Sequence, residues 1–178
     1  ENLIPDENKI SYTKGTFDGT TYTNEWADIK IQLPDGYFNA DSADYADFSD
    51  EITDCGAYFE TADETKFFYV CFEKLPTFPD YSETEYLELV LDGYTDDMEG
   101  LEGEIPTSED FTTVNLGGNN YLSVHMIFNN GIMDIGQDIF VRKHDGRMIF
   151  ISTLSLYMDE NGNLETTNDL KAVISAIN

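Results

Sequence analysis

Basic residues are scarce in this sequence. The 178-residue chain carries nine Lys and Arg against 36 Asp and Glu, a formal net charge of −27. Nucleic acid is held by cations that release counterions from its phosphates, so a nucleic-acid partner is not expected. Anionic membrane surfaces repel such a chain for the same reason. The deficit is uneven: residues 1–110 hold 29 acids and five bases, residues 111–178 hold seven and four, and no base stands between Lys74 and Arg142. The plainest consequence is a solvated, self-repelling surface. Long apolar runs are also missing, so no transmembrane segment is expected. No basic-then-apolar leader opens the chain, and a signal segment is read as absent from it. Residues 1–10 read as a flexible polar lead-in to one α+β domain over 11–178, since no linker or internal repeat interrupts the rest.

Cysteine and histidine are just as sparse, with two of each. A closed zinc site takes about four soft or imidazole ligands at short spacings. Cys55, Cys71, His125 and His144 show no such spacing. A nucleophilic triad needs a base beside the nucleophile and a third orienting group. Only His125 and His144 can supply the base; His144 beside a hairpin corner reads as exposed, and no G-x-S-x-G elbow is present. Phosphate-cradling glycine loops of the P-loop and dinucleotide types are absent as well. The expectation is therefore no catalytic, cofactor-binding or metal-ligating residue. Carboxylate pairs are different, because with 36 acids any chosen pair is nearly meaningless without a distance. Two stretches suit a hard cation. The segment 92–104 offers Asp92, Asp96, Asp97, Glu99, Glu102 and Glu104, enough for a weak calcium site; a solvated loop is the plainer reading. The segment DENGNLE (159–165) puts glycine at loop position four, where a helix–loop–helix calcium loop needs it at six.

What the chain has in quantity is aromatic residues, 11 Tyr and 12 Phe, enough with the aliphatics for a substantial core. Asp18-Gly19 predicts a two-residue hairpin turn. Ile29, Ile31 and Leu33 alternate with polar residues, as in a half-buried strand, and Pro34-Asp35-Gly36 stops it. Tyr45, Phe48 and Ile52 predict a short helix over 41–53 with Ser42 as its N-cap. Ser82 and Glu85 stand at capping-box spacing before a stripe of Tyr86, Leu87, Leu89, Val90 and Tyr94, with Gly93 as the stop of a second helix. From Phe111 four strand-like runs alternate with Gly- and Asn-bearing turns, an antiparallel meander. Leu170, Val173, Ile174 and Ile177 predict a third, C-terminal helix. The fold class expected is α+β, a mainly antiparallel sheet flanked by about three helices.

The stretch CGAYFETADETKFFYVC (55–71) holds both cysteines. Pairing Glu60 with Lys66 across the loop sets Phe59 against Phe67, Tyr58 against Phe68, Ala57 against Tyr69 and Cys55 against Cys71. Directly opposed residues of an antiparallel ladder lie within disulfide reach. The bond forms if that register holds; the alternative is two buried apolar thiols.

The segments YTNEWADIKIQLPDGY, VNLGGNNYLSVHM and QDIFVRKHDGRMIFISTLS resemble a family of small secreted or lipid-anchored proteins of Gram-positive bacteria. Tyr22, Asn24, Leu33, Pro34, Gly36, Gly117, Gly118, Asp145 and Gly146 carry the likeness, which spans most of residues 15–177. It implies a Mog/PsbP-like fold, an antiparallel sheet between helices in an α/β/α sandwich, and no established activity. The cysteine pair is not part of that pattern. The resemblance and the missing catalytic signatures lead to an expectation of an extracellular or cell-surface-attached, non-enzymatic binding or accessory module, with an unknown protein or cell-envelope ligand as partner. Two alternatives stand beside it. One is a carboxylate-based extracellular hydrolase of polysaccharide, with Trp26, Tyr37, Phe38 and Tyr81 as rings able to stack on sugar where exposed; the plainer reading places most of them in the core. The other is a calcium-responsive binding domain.

Overall fold

The computed structural model describes residues 10–77, 79–97, 102–129, 131–156 and 174–175. The N-terminal part supplies β1 (Thr16–Asp18), β2 (Thr21–Asn24), β3 (Ile29–Gln32) and β4 (Tyr37–Asn39), then α1 (Ser42–Asp47). The long hairpin β5 (Thr53–Thr61) and β6 (Lys66–Lys74) follows, then α2 (Glu83–Asp97). The meander is β7 (Thr112–Leu116), β8 (Asn119–Asn129), β9 (Asp134–His144) and β10 (Arg147–Ser155), and β11 (Ile174–Ser175) closes the described chain.

These strands form two sheets: a seven-stranded one in the order β4-β5-β6-β10-β9-β8-β7 and a four-stranded one in the order β1-β2-β3-β11. Every pairing is antiparallel. The meander follows the sequence closely, with Gly117, Gly118, Asp145 and Gly146 all at positive φ in its turns.

The large sheet has two differently covered faces. One packs on the small sheet, and between them lie Tyr22, Trp26, Ile29, Ile31, Phe59, Phe68, Phe72, Phe140 and Ile151. On the opposite face α2 presses Tyr86, Leu87 and Leu91 onto Val124, Met126, Ile139, Val141 and Met148. Burying Leu87 and Leu91 stabilises this contact by about 1.5–3 kcal/mol each. Farther along that face α1 covers a third cluster around Ala40, Cys55, Tyr58 and Cys71.

The expectation of about three helices in an α/β/α sandwich is therefore corrected. Among the described residues there are two α-helices, both on one face, and the other face is covered by sheet. Ile174, read as helical, lies in β11 opposite Ile31 of β3. The rest of the proposed helix, 170–173 and 176–178, falls outside the described residues. The apolar spacing there spans barely two turns, and a bare edge beside β3 offers backbone pairing that overrides so short a signal.

Smaller departures have local causes. Asp41, not Ser42, caps α1, accepting from the N–H groups of Ala43 and Asp44, and the helix ends before Phe48. The first hairpin turns at Gly19-Thr20, one residue later than expected, because Asp18 still pairs with Thr21. Gly93 does not stop α2, which runs to Asp97, and Leu89 faces solvent. The Ser82–Glu85 capping box forms as read: Glu85 N–H donates to Ser82 Oγ at 3.2 Å and Ser82 N–H to Glu85 Oε2 at 2.9 Å.

The hairpin register is part right. Cys55 does oppose Cys71, but Glu60 opposes Phe67, Phe59 opposes Phe68, Tyr58 opposes Tyr69 and Ala57 opposes Val70. A bulge at Gly56 absorbs the one-residue difference.

Candidate functional site

On the helix-bearing face, between α1 and α2, a cleft of about 250 Å³ opens over β5, β6 and β10. Strand alternation sends Tyr69, Cys71 and Glu73 of β6 to this side, while Phe68, Val70 and Phe72 enter the inter-sheet core. Thr53 of β5 and Phe150 of β10 complete the floor; Phe48 walls one side, Tyr86 and Val90 of α2 the other. Three of the rings run in contact across the floor, the first pair tilted by 35° and the second stacked at 21°. Phe48 lies 4.9 Å from Tyr69, which stacks on Phe150 at 6.0 Å. Phe48 remains 38% exposed and marks the rim.

One charged group enters this apolar wall. Glu73 accepts a hydrogen bond from Tyr86 Oη at 2.6 Å through Oε2. Burial pushes the Tyr86 phenol well above its ordinary range, and that hydrogen bond pushes it further, so the hydroxyl stays a donor. Burial likewise raises the Tyr69 phenol.

Cys55 and Cys71 are both buried free thiols, and Cys71 reaches the cleft floor. Cys55 donates its N–H to Ser49 Oγ at 3.1 Å, and Lys74 donates its N–H to Ile52 O at 2.8 Å, so hydrogen-bonded pairs fall at every second step from Ile52–Lys74 and Cys55–Cys71, three steps on, falls between them. The two therefore form a pair of the non-hydrogen-bonded kind, in which opposed side chains approach most closely. The hydrogen bond between the thiols holds Cys55 below its ordinary range and lifts Cys71 above it.

Other residues singled out in the sequence lie elsewhere. Trp26 is 3% exposed, ringed by Tyr12, Phe72 and His144, so it cannot stack on sugar. His144, expected at the surface, packs on Trp26 instead, and burial lowers its pKa. Phe38 is exposed on the edge strand β4, while Tyr37 packs toward the inter-sheet core and Tyr81 toward the α2 cluster, so these rings do not converge. Of the acidic segment 92–104, Asp92, Glu102 and Glu104 are exposed; the side chains of Asp96, Asp97 and Glu99, and all of 159–165, lie outside the described residues. Among the described residues no three His, Cys, Asp or Glu side chains cluster as a metal site.

The sequence reading missed two constellations. His125 Nδ1 meets Asp138 Oδ1 at 2.9 Å across β8 and β9; hydrogen bonding to the Asp138 carboxylate raises the histidine pKa. The β8–β9 register opposes Asn129 to Asp134, and counting four residues from that pair along each strand brings His125 opposite Asp138. The second ties down the N-terminal segment. Tyr12 donates to Asp54 at 2.5 Å, Lys14 pairs with Asp54 at 3.0 Å, and the Arg147 guanidinium lies 3.6 Å over the Tyr12 ring. Burial works to raise the Asp54 carboxyl, but hydrogen bonds from Tyr12 and Lys14 override it and hold the group below its ordinary range. Arg142 donates to the Ala27 carbonyl and Lys143 pairs with Asp80, so these scarce cations secure loops.

No family model matches the chain, and no curated protein matches it in sequence. Solved structures do. Over 94% of its length the chain superposes on cyanobacterial PsbP (CyanoP) from Synechocystis, with 13% identity, a TM-score of 0.56 and 99% of that protein covered. Over 84% it superposes on LpqN, involved in cell envelope biogenesis of Mycobacterium tuberculosis, with 11% identity, a TM-score of 0.53 and 83% of LpqN covered. A Bacteroides thetaiotaomicron protein aligns over 91% of the chain at 11% identity and a TM-score of 0.47, and the chain spans half of its length. Among the described residues no helix is long and apolar enough to cross a membrane. With the two described helices on one face of a seven-stranded antiparallel sheet and a small sheet on the other, the chain has a PsbP-like fold.

Proposed function

We propose that the protein is an extracytoplasmic, non-enzymatic binding or accessory module, secreted or held at the cell surface as in the Gram-positive family it resembles, and that it engages its ligand at the cleft between α1 and α2. The observation that carries this reading is the cleft itself: a concave apolar site with one oriented polar group. The fold it shares with LpqN supports an envelope setting. A carboxylate-based glycosidase needs two carboxyl groups facing one another across the scissile bond. Among the described residues Glu73 is the sole carboxylate lining this cleft, which favours binding over hydrolysis there. The test is turnover together with location. The purified protein is expected to release no product from a panel of polysaccharides, esters and peptides, and antibody labelling of intact source cells or their medium is expected to find it outside the cytoplasm. Multiple turnovers on any substrate, or a cytoplasmic location, would overturn the reading.

A further inference from the structure

We infer that the cleft selects a small organic ammonium ion, an aryl-alkyl amine in its protonated form; this rests on the cleft being the binding site proposed above. Of its eight described lining residues four are aromatic, Phe48, Tyr69, Tyr86 and Phe150, and none is basic. Ring faces carry negative quadrupole potential and attract cations, most strongly where water is excluded. Within that lining Glu73 is held by one oxygen: Tyr86 donates to Oε2, and Oε1 has no partner among the described residues. A carboxylate fixed by one oxygen, with the other free in an apolar site, is an acceptor awaiting a charged donor. An anion there meets like charge, and a neutral molecule leaves Glu73 without a counter-ion.

Size sets the second constraint. A cavity of about 150 Å³ holds benzene. The cleft, at about 250 Å³, has room for a ring and a short amine-bearing chain but falls below the range of about 300–1,000 Å³ usual for drug-sized ligands. The net charge of −27 concentrates cations at the surface and speeds their capture.

Three probes of one shape and different charge test this: 2-phenylethylammonium, 2-phenylethanol and 3-phenylpropionate. Each is titrated, with thiols kept reduced, against the full chain by calorimetry and by amide chemical-shift mapping. The ammonium is expected to bind at least tenfold tighter than either of the others, with shifts centred on Tyr69, Glu73, Val90 and Phe150. Glu73→Gln should remove that preference while leaving phenylethanol binding within about twofold. Val90→Trp, which fills the cleft, should weaken all three, and it supplies the control if Glu73→Gln does not fold. Equal affinity for the three probes would overturn the cation assignment while leaving the cleft as a site for apolar ligands. No shift at the cleft with any probe would overturn both.

Discussion

Gly56 sits where the β5 bulge, the N-terminal segment and the inter-sheet core meet. A Cβ there would lie 2.5 Å from the Lys14 carbonyl oxygen, 2.6 Å from the Phe72 ring and 2.6 Å from Tyr22 Oη. Tyr22 Oη already donates to Lys14 O at 2.7 Å, and Asn24 Nδ2 donates to Thr13 O at 2.9 Å. The Y-x-N motif is thus a clasp that lays residues 13–15 across the bulge. Gly56→Ala must displace backbone, so it is expected to cost about 1–3 kcal/mol, a fall of about 3–10 °C in melting temperature for a domain of this size. Gly93 is the contrast: it lies inside α2 with nothing within 4 Å of an added Cβ. Gly93→Ala should stabilise by about 0.5–1 kcal/mol through helix propensity. Thermal melts of both variants read the pair; an unchanged midpoint for Gly56→Ala would show that the clasp has slack. Tyr22 and Asn24 stood out in the sequence, but their partners did not, because Thr13, Lys14 and Gly56 are reached only across the fold.

The β5–β6 hairpin shows at the scale of an element how a near-correct pattern goes wrong. A uniform register through Glu60–Lys66 and Cys55–Cys71 satisfies the charge and cysteine pairings together. The bulge at Gly56 lets the aromatic half shift by one residue and still brings the cysteines opposite. Phe59 and Phe68 then stack at 5.0 Å in the inter-sheet core, and burial of two rings outweighs one exposed ion pair. With the thiols opposed, exposure to oxidised glutathione is expected to join Cys55 to Cys71: the thiols lose two protons and two electrons as the oxidant becomes two reduced glutathiones. The protein should become lighter by two hydrogens under non-reducing mass measurement. Closing a loop of about 15 residues should add about 3 kcal/mol in the chain-entropy account, a rise of about 6–12 °C in melting temperature. A stable mixed adduct with glutathione instead would show that the sulfurs cannot meet.

Charge governs the molecule as a whole. An excess of 27 negative charges on a chain of 178 residues repels itself in the compact state more than in the extended one. Few cations offset it, and Lys14, Arg142, Lys143 and Arg147 are engaged in fixing segments. Raising NaCl from about 10 mM to about 0.5 M shortens the screening length from about 30 Å to under 10 Å. The melting temperature is therefore expected to rise monotonically over that range in scanning calorimetry. A fall would mean that the ion pairs at Asp54 and Asp80 contribute more than the repulsion takes away.

The sequence by itself determined the antiparallel meander, the α2 capping box and the turns at Pro34–Gly36 and Asp145–Gly146. Each is written in a few neighbouring residues, as alternation, a cap or a turn dipeptide, and such signals need no knowledge of the rest of the chain. Only the tertiary structure decided that Ile174 would pair with β3, that Trp26 and His144 would be packed together, and that Phe48, Glu73, Tyr86 and Phe150 would enclose one cleft. Those residues are far apart along the chain, and what joins them is the way two sheets and two helices bury their apolar faces against each other. Local periodicity fixes which face is apolar, and packing alone chooses what covers it.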